Sequence, residues 1–166
     1  MSVCCIIGHR TISEAEGLRL KVIAAIKNLI EHQRVTAFLF GSKSRFNDLC
    51  YEVVSELKET YPNIKRIYVR AEFPNIDDNY LAYLLERYEE TYFPKKILHA
   101  GRAVYVERNF EMIQNSNYCL FYYDDTIAPT KRKSGTKIAL DYAIAQKKKI
   151  ILLRGSISEP VFPRQE

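Results

Sequence analysis

The segment SGTKIALDYAIA joins small, hydrogen-bonding residues to the start of an alanine-rich helix. Ser134, Gly135 and Thr136 stand where the helix begins, so several backbone N–H groups there lack partners within the helix. The positive end of the helix dipole also attracts negative charge. A phosphate therefore fits this turn, although an ordinary N-cap role for Ser134 explains the same residues.

A second turn, GSKSRFND, precedes another helical pattern. Gly41, Ser42 and Ser44 let a ligand come close to the backbone, and the free amides of the helix that follows favour an anion. No GKS or GKT follows, which argues against ATP hydrolysis by a Walker loop. Asn47 and Asp48 either cap the helix or hold a ribose hydroxyl.

The turn GHRT follows the first apolar run of the chain. Gly8 permits a sharp turn, while His9 and Arg10 supply donors suited to phosphate or carboxylate. Alternatively, His9 only bonds a carbonyl within the turn. The motif indicates an anion site when it is taken together with the other turns.

The segment AVYVERNFEMIQ separates into three rows at helical spacing. The row predicted to face the core consists of Ala103, Val106, Phe110 and Ile113. The row predicted to face water consists of Val104, Glu107, Glu111 and Gln114. The third row consists of Tyr105, Arg108, Asn109 and Met112. An aromatic ring, a guanidinium and an amide suit a stacked base and a phosphate or sugar, with a surface salt bridge as the alternative.

Apolar runs alternate with helical patterns along the whole chain, which is typical of repeated strand–helix units. The predicted strands are residues 3–8, 35–41, 64–72, 117–125 and 149–153. Five helices are predicted. The first begins at Ser13, where Glu16 completes a capping box, and the second follows Gly41. The other three cover residues 77–92, 103–114 and 135–147. Runs such as CCII, AFLF and IILL need cover on both faces. We therefore predict an α/β three-layer sandwich with a mostly parallel central sheet, whose ligands bind beyond the carboxyl ends of the strands, where the strand order reverses.

The composition limits the domain number and the class of partner. The chain has 166 residues, of which 47% are hydrophobic, enough for one core and too few for two ordinary domains. We expect a single domain over residues 1–155 and a flexible C-terminal tail over 156–166. The net charge of +5 lies mostly at turns and helix ends, which argues against nucleic acid as the partner.

The sequence also predicts where the protein resides and the state of its cysteines. No run approaches the roughly 20 apolar residues that cross a bilayer, so we expect a cytoplasmic protein without a membrane partner. The four cysteines lack the spacing of a metal site, and we expect buried free thiols and no metal. Cys4 and Cys5 are adjacent on a strand and should point to opposite faces of the sheet.

Four segments in this order resemble one protein family. They are CIIGHR, FGSKSRFNDL, YVERNFEMIQNSNYCLFYYDD and SGTKIALDYAIAQKKKIIL. Together they resemble the YpsA-like branch of the SLOG superfamily, which includes the Lonely Guy phosphoribohydrolases and the DNA-processing protein DprA. The resemblance covers about residues 3–153 and implies a Rossmann-like fold with a pocket for a nucleotide or nucleotide-derived ligand. The residues that match the family's pocket motifs are Gly41, Ser42, Arg108, Asn109, Gly135 and Thr136.

Two departures from this pattern concern catalysis. Lonely Guy enzymes carry the pattern GGxGTxxE, whereas this chain reads KRKSGTKIA, with the basic residues Lys131, Arg132 and Lys133 in place of the glycines and Ala139 in place of the glutamate. Hydrolysis of an N-glycosidic bond needs a carboxylate near the cationic sugar. In the YpsA-like branch an aspartate commonly follows the phenylalanine of the first turn, where this chain has Asn47.

Three functional hypotheses follow. The first is a binding module, a sensor or regulatory protein that recognises a nucleotide without catalysis and without a cofactor. The second is an enzyme acting on an N-glycosidic bond, with another carboxylate replacing the lost glutamate; the candidates are Asp48, Glu72, Glu107 and Asp124. Of these, Asp48 and Asp124 lie nearest to predicted strand ends. The third is a structural or regulatory protein that assembles with a partner, or with copies of itself as a homo-oligomer, through the stripe of Tyr80, Leu84 and Tyr88.

Overall fold

The structure is a computed structural model that describes residues 2–12, 15–124 and 134–154, without the side chains of residues 15 and 16. Three features of the sequence lie outside the described residues. They are the capping box of Ser13 and Glu16, the basic residues at 131–133 and the tail at 156–166.

The described residues form one sheet of six parallel strands. The strands are β1 (Ser2–Gly8), β2 (Val35–Phe40), β3 (Lys65–Val69), β4 (Glu90–Tyr92), β5 (Tyr118–Tyr122) and β6 (Lys149–Leu153). Their order is β4-β3-β2-β1-β5-β6, and every neighbouring pair is parallel. The chain therefore steps outward from β1 to β4 and then crosses to the other side of β1. The strand order reverses between β1 and β5, where an open parallel sheet leaves a crevice at its carboxyl edge.

Helices cover both faces of the sheet. They are α1 (Ala15–His32), α2 (Arg45–Thr60), α3 (Asp78–Arg87), α4 (Val104–Gln114) and α5 (Gly135–Ala145), with 3₁₀ turns at Lys95–Ile97 and Gly101–Ala103. One apolar cluster joins α1 and α2 to the sheet, and a second cluster on the other face joins α4 and α5. The prediction of a three-layer α/β sandwich is confirmed.

The four cysteines follow the prediction made from the sequence. All are buried and free, and Cys4 packs with α1 and α2 whereas Cys5 packs with α4 and α5. Burial raises the pKa of the Cys4 and Cys50 thiols well above its ordinary value, so both remain protonated. These cysteines act as small core residues.

The helix predicted over residues 77–92 is shorter in the structure. It ends at Arg87, and Glu90–Tyr92 form β4, which pairs with β3. Tyr88 turns inward, and its ring centroid lies 5.1 Å from that of Tyr51 and 5.2 Å from that of Tyr68. These contacts override the local helical pattern. The tyrosine stripe thus faces the protein: Leu84 is buried, and Tyr80 and Tyr88 are half-buried.

No helix in the described part of the chain is both long enough and apolar enough to cross a membrane.

Candidate functional site

The turns after β1 and β2 meet at the carboxyl edge of the sheet. The backbone N of Arg45 donates to the carbonyl of Arg10 across 3.1 Å, which ties the start of α2 to the turn after β1. The Phe46 ring lies against Gly8, where a Cβ atom would come within 2.3 Å of the ring. The same ring stacks on Tyr122 at the end of β5, with 5.5 Å between the centroids. Gly8 is therefore required by this packing. The stacked rings of Phe46 and Tyr122 join these turns to the end of β5, and the sequence did not predict a role for either residue.

Ser44 caps α2. Its hydroxyl accepts a hydrogen bond from the backbone N of Asn47 at 3.0 Å and lies 3.0 Å from the hydroxyl of Ser42. The capping role considered for Asn47 and Asp48 thus belongs to Ser44. The Asn47 side chain is buried, and its Oδ1 has no hydrogen-bond partner among the described residues. Asp48 is exposed in the first turn of α2.

Arg108 brings a positive charge into the interior beside the second turn. It is 4% exposed, its Nη1 donates to the carbonyl of Gly41, and its Nε donates to Asn109 Oδ1 at 3.3 Å. The guanidinium carbon lies 5.8 Å from the centroid of the Tyr105 ring, which is half exposed. Burial lowers the pKa of Arg108 to about 10, which still leaves the group charged at neutral pH.

No carboxylate of the described residues forms an ion pair with Arg108. Tyr68 and Glu72 act on it only through space. Buried guanidinium groups are almost always paired, because an isolated buried charge is costly. The arrangement therefore suits an anion placed beside Gly41.

The rows of α4 differ from the prediction. The prediction of which row faces the core was wrong in part, because Ala103 is exposed and Val106 and Phe110 are only half-buried. Arg108 and Met112, from the row expected to face a ligand, are buried against the sheet with Ile113. Phe110 instead stacks on Tyr142 of α5, with 4.0 Å between centroids. Phe110 of the apolar row thus packs on α5, while Arg108 and Met112 pack over Gly41.

His9 sits where the strand order reverses. Its ring centroid lies 6.0 Å from that of Tyr122 and 5.2 Å from that of Tyr123. Burial lowers the pKa of His9, and the charge and the backbone hydrogen bond of Asp124 only partly oppose this. Nε2 is buried and has no partner among the described residues. We predicted that His9 donates to an anion, but a neutral ring with a free nitrogen is suited to accepting a hydrogen bond.

At the turn before α5, Ser134 has the ordinary N-cap role that was the alternative to phosphate binding. The Ser134 hydroxyl accepts from the backbone N of Lys137 at 3.1 Å, and Thr136 is buried. A Cβ atom on Gly135 would meet no atom within 4 Å, so the packing of the described residues does not require glycine there. Ala139 belongs to α5 and is buried in the core, where the longer side chain of a glutamate would not fit without repacking.

The four candidate carboxylates do not gather at one point. Asp124 interacts with His9 at the end of β5. Asp48 lies exposed on α2, near Tyr88, whose pKa is raised mainly by burial and to a small further extent by the Asp48 charge. Glu72 and Glu107 are exposed.

The glycines of the two turns should respond differently to alanine. In Gly41→Ala the new Cβ would lie 2.8 Å from Met112 Sδ and 2.9 Å from Arg108 Nε, so we expect a loss of about 1–3 kcal/mol in the free energy of unfolding. In Gly135→Ala the space is open, and we expect an unchanged value or a gain of up to about 1 kcal/mol. Urea unfolding of both variants measures this difference, and equal losses would contradict it.

Comparison with known proteins identifies the family. A search of curated proteins found no match. The family model YpsA, described as the YspA SLOG family, matches residues 11–156. The match includes the second turn, α4 with Arg108, and the turn before α5. Membership of this family suggests a role in binding or modifying a nucleotide-related ligand. The family model spans most of the chain, and the sheet is parallel with a strand order that reverses at β1. The chain therefore belongs to the YpsA SLOG family.

Proposed function

We propose that this protein is a sensor or regulatory module that binds a nucleotide or nucleotide-derived anion at the carboxyl edge of its sheet. The observation that carries the proposal is the buried Arg108 without a carboxylate partner among the described residues. A phosphate beside Gly41 would supply the missing negative charge.

The surroundings of Arg108 fit the rest of a nucleotide. The α2 N-terminus follows the turn of Gly41–Ser44 directly, and its backbone amides carry partial positive charge. Tyr105 offers an exposed ring face next to the guanidinium, which suits a stacked base. Gly135 leaves room for a second phosphate at the start of α5.

The site supports binding better than hydrolysis. Ala139 occupies the position of the Lonely Guy glutamate, is buried in the core and carries no carboxylate. An N-glycosidic hydrolase or transferase is the second candidate, because His9 and Asp124 interact at the point where the strand order reverses. A histidine and a carboxylate at that point are a common acid–base arrangement.

One experiment separates these two functions. The purified protein is incubated with nucleoside monophosphates and with dinucleotides, and mass spectrometry follows both retained ligand and released base. We expect retained ligand and intact nucleotide. Base release that disappears in Asp124→Asn or Asp48→Asn would replace binding by catalysis, and failure to retain any nucleotide would refute the proposal.

A further inference from the structure

Two buried side-chain atoms near the start of α2 have no hydrogen-bond partner among the described residues. They are Nε2 of His9 and Oδ1 of Asn47. Asn47 is 3% exposed, so water does not freely compensate for the missing bond. Leaving such atoms unsatisfied destabilises a fold, and they are therefore uncommon unless another molecule completes them.

Both atoms belong to the same part of the sheet edge. Phe46, which precedes Asn47, stacks on the Tyr122 ring, and His9 meets that ring edge-on. The hydrogen bond from Arg45 to Arg10 fixes the two chain segments against each other. This is the point where the strand order reverses, next to the turn that contacts Arg108.

Both atoms are acceptors. His9 is neutral at pH 7 because burial lowers its pKa, and since the ring also bonds to the Asp124 backbone, the free nitrogen keeps its lone pair. An amide oxygen such as Asn47 Oδ1 accepts only. Two acceptors call for a partner with donor groups, and an anionic group alone would be repelled.

We propose that His9 Nε2 and Asn47 Oδ1 accept hydrogen bonds from the ribose hydroxyls of the ligand whose phosphate lies beside Arg108. The inference rests on the proposed function and adds the part of the ligand that gives selectivity. Asn47 follows the Ser44 cap by three residues, so it lies within one turn of the amides that face the phosphate. The sugar is the part of a nucleotide attached to its phosphate, whereas the base reaches outward to Tyr105.

The test compares AMP with 2′,3′-dideoxy-AMP and with IMP by isothermal titration calorimetry. We expect the wild-type protein to bind AMP at least about tenfold more tightly than the dideoxy analogue, since each unmet acceptor weakens binding severalfold to tenfold. IMP lacks the amino group of the base and should bind like AMP. Asn47→Leu and His9→Phe should reduce the preference for AMP over the dideoxy analogue to about threefold or less.

Asn47→Asp is the matched control. It keeps an acceptor at the same position, and the α2 N-terminus favours its negative charge. We expect the preference for hydroxyls to persist in this variant. Asn47→Leu should also raise the melting temperature of the unliganded protein, because it removes an unsatisfied buried polar group. A variant that had lost its fold would melt earlier.

The outcomes separate the inference from the proposed function. Equal affinities of the wild-type protein for AMP and its dideoxy analogue, with binding that still depends on Arg108, would overturn the hydroxyl subsite and leave the nucleotide site intact. If the wild-type protein bound IMP much more weakly than AMP but bound the dideoxy analogue as tightly as AMP, the two acceptors would belong to the base and not to the sugar. If none of the three nucleotides binds, the nucleotide site and its subsite are both refuted.

Discussion

Arg108→Met is expected to weaken the binding of AMP at least about 100-fold, roughly 3 kcal/mol. Methionine keeps most of the length and volume of the side chain but removes the charge that faces Gly41. Arg108 has no carboxylate partner among the described residues, so its charge is available to a phosphate in a buried setting. Charged contacts are strong there because little water screens them.

The same substitution should have little effect on stability. It removes a costly buried charge, but it also removes the hydrogen bond to the Gly41 carbonyl, and the two effects oppose each other. We expect the free energy of unfolding without ligand to change by no more than about 1 kcal/mol. Urea unfolding measures this quantity on the same preparation that is used for calorimetry.

Arg34→Met provides the control for net charge. Arg34 is exposed and lies just before β2, at the opposite edge of the sheet from the site. Its loss lowers the net charge equally but should leave AMP affinity unchanged. If Arg108→Met retained wild-type affinity, or if both variants lost affinity equally, the phosphate would not lie on Arg108.

The sheet could be predicted from sequence because its central strands are continuously apolar. Runs such as CCII and AFLF have no polar face, which indicates cover on both sides. The short β4 could not be predicted, since Glu90–Tyr92 follow a helical pattern and pair with β3 only because Tyr88 and Glu89 are held by tertiary contacts. Local propensity does not contain those contacts.

The candidate site was predictable in its turns and less so in its side chains. Glycine and hydroxyl residues before helices mark strand ends, and these turns do lie at the carboxyl edge. Helical spacing separated the rows of α4 but did not show which row meets the sheet, so the burial of Arg108 was not foreseen. The roles of Phe46 and Tyr122 depend on contact between distant segments, which spacing along one segment does not reveal.

Glu89→Gln is expected to lower the free energy of unfolding by about 2–3 kcal/mol at pH 7. Arg66 donates to Glu89 through Nη2 at 3.0 Å and Nε at 3.1 Å, and Lys58 Nζ lies 3.1 Å from Oε1. All three side chains are about one-quarter exposed or less, so removing the carboxylate charge leaves two partly buried cations without a counter-charge. This network joins α2, β3 and the start of β4.

The effect should depend on pH in a defined direction. Burial alone would raise the pKa of Glu89, but the hydrogen bonds from Arg66 and Lys58 outweigh it and lower the pKa to about 2. Its unfolded value is near 4.3, so the unfolded chain binds the proton first as pH falls. The stability that ionised Glu89 contributes is therefore complete above about pH 4.5 and is lost as pH falls towards 2.

Glu90→Gln is the control for this prediction, because Glu90 pairs with Lys65 on the exposed surface, where both side chains are half exposed. Urea unfolding at pH 7, 4.5 and 3 should give curves for Glu90→Gln that follow the wild-type protein. The difference between the wild-type protein and Glu89→Gln should shrink between pH 4.5 and 3. A constant difference, or equal behaviour of the two variants, would mean that the Glu89 charge does not hold β4 to the sheet. Tyr68 lies at the carboxyl end of β3, beside Arg108, and β4 pairs with β3. Acid weakening of this network is therefore also expected to loosen one wall of the proposed binding site before the central strands unfold.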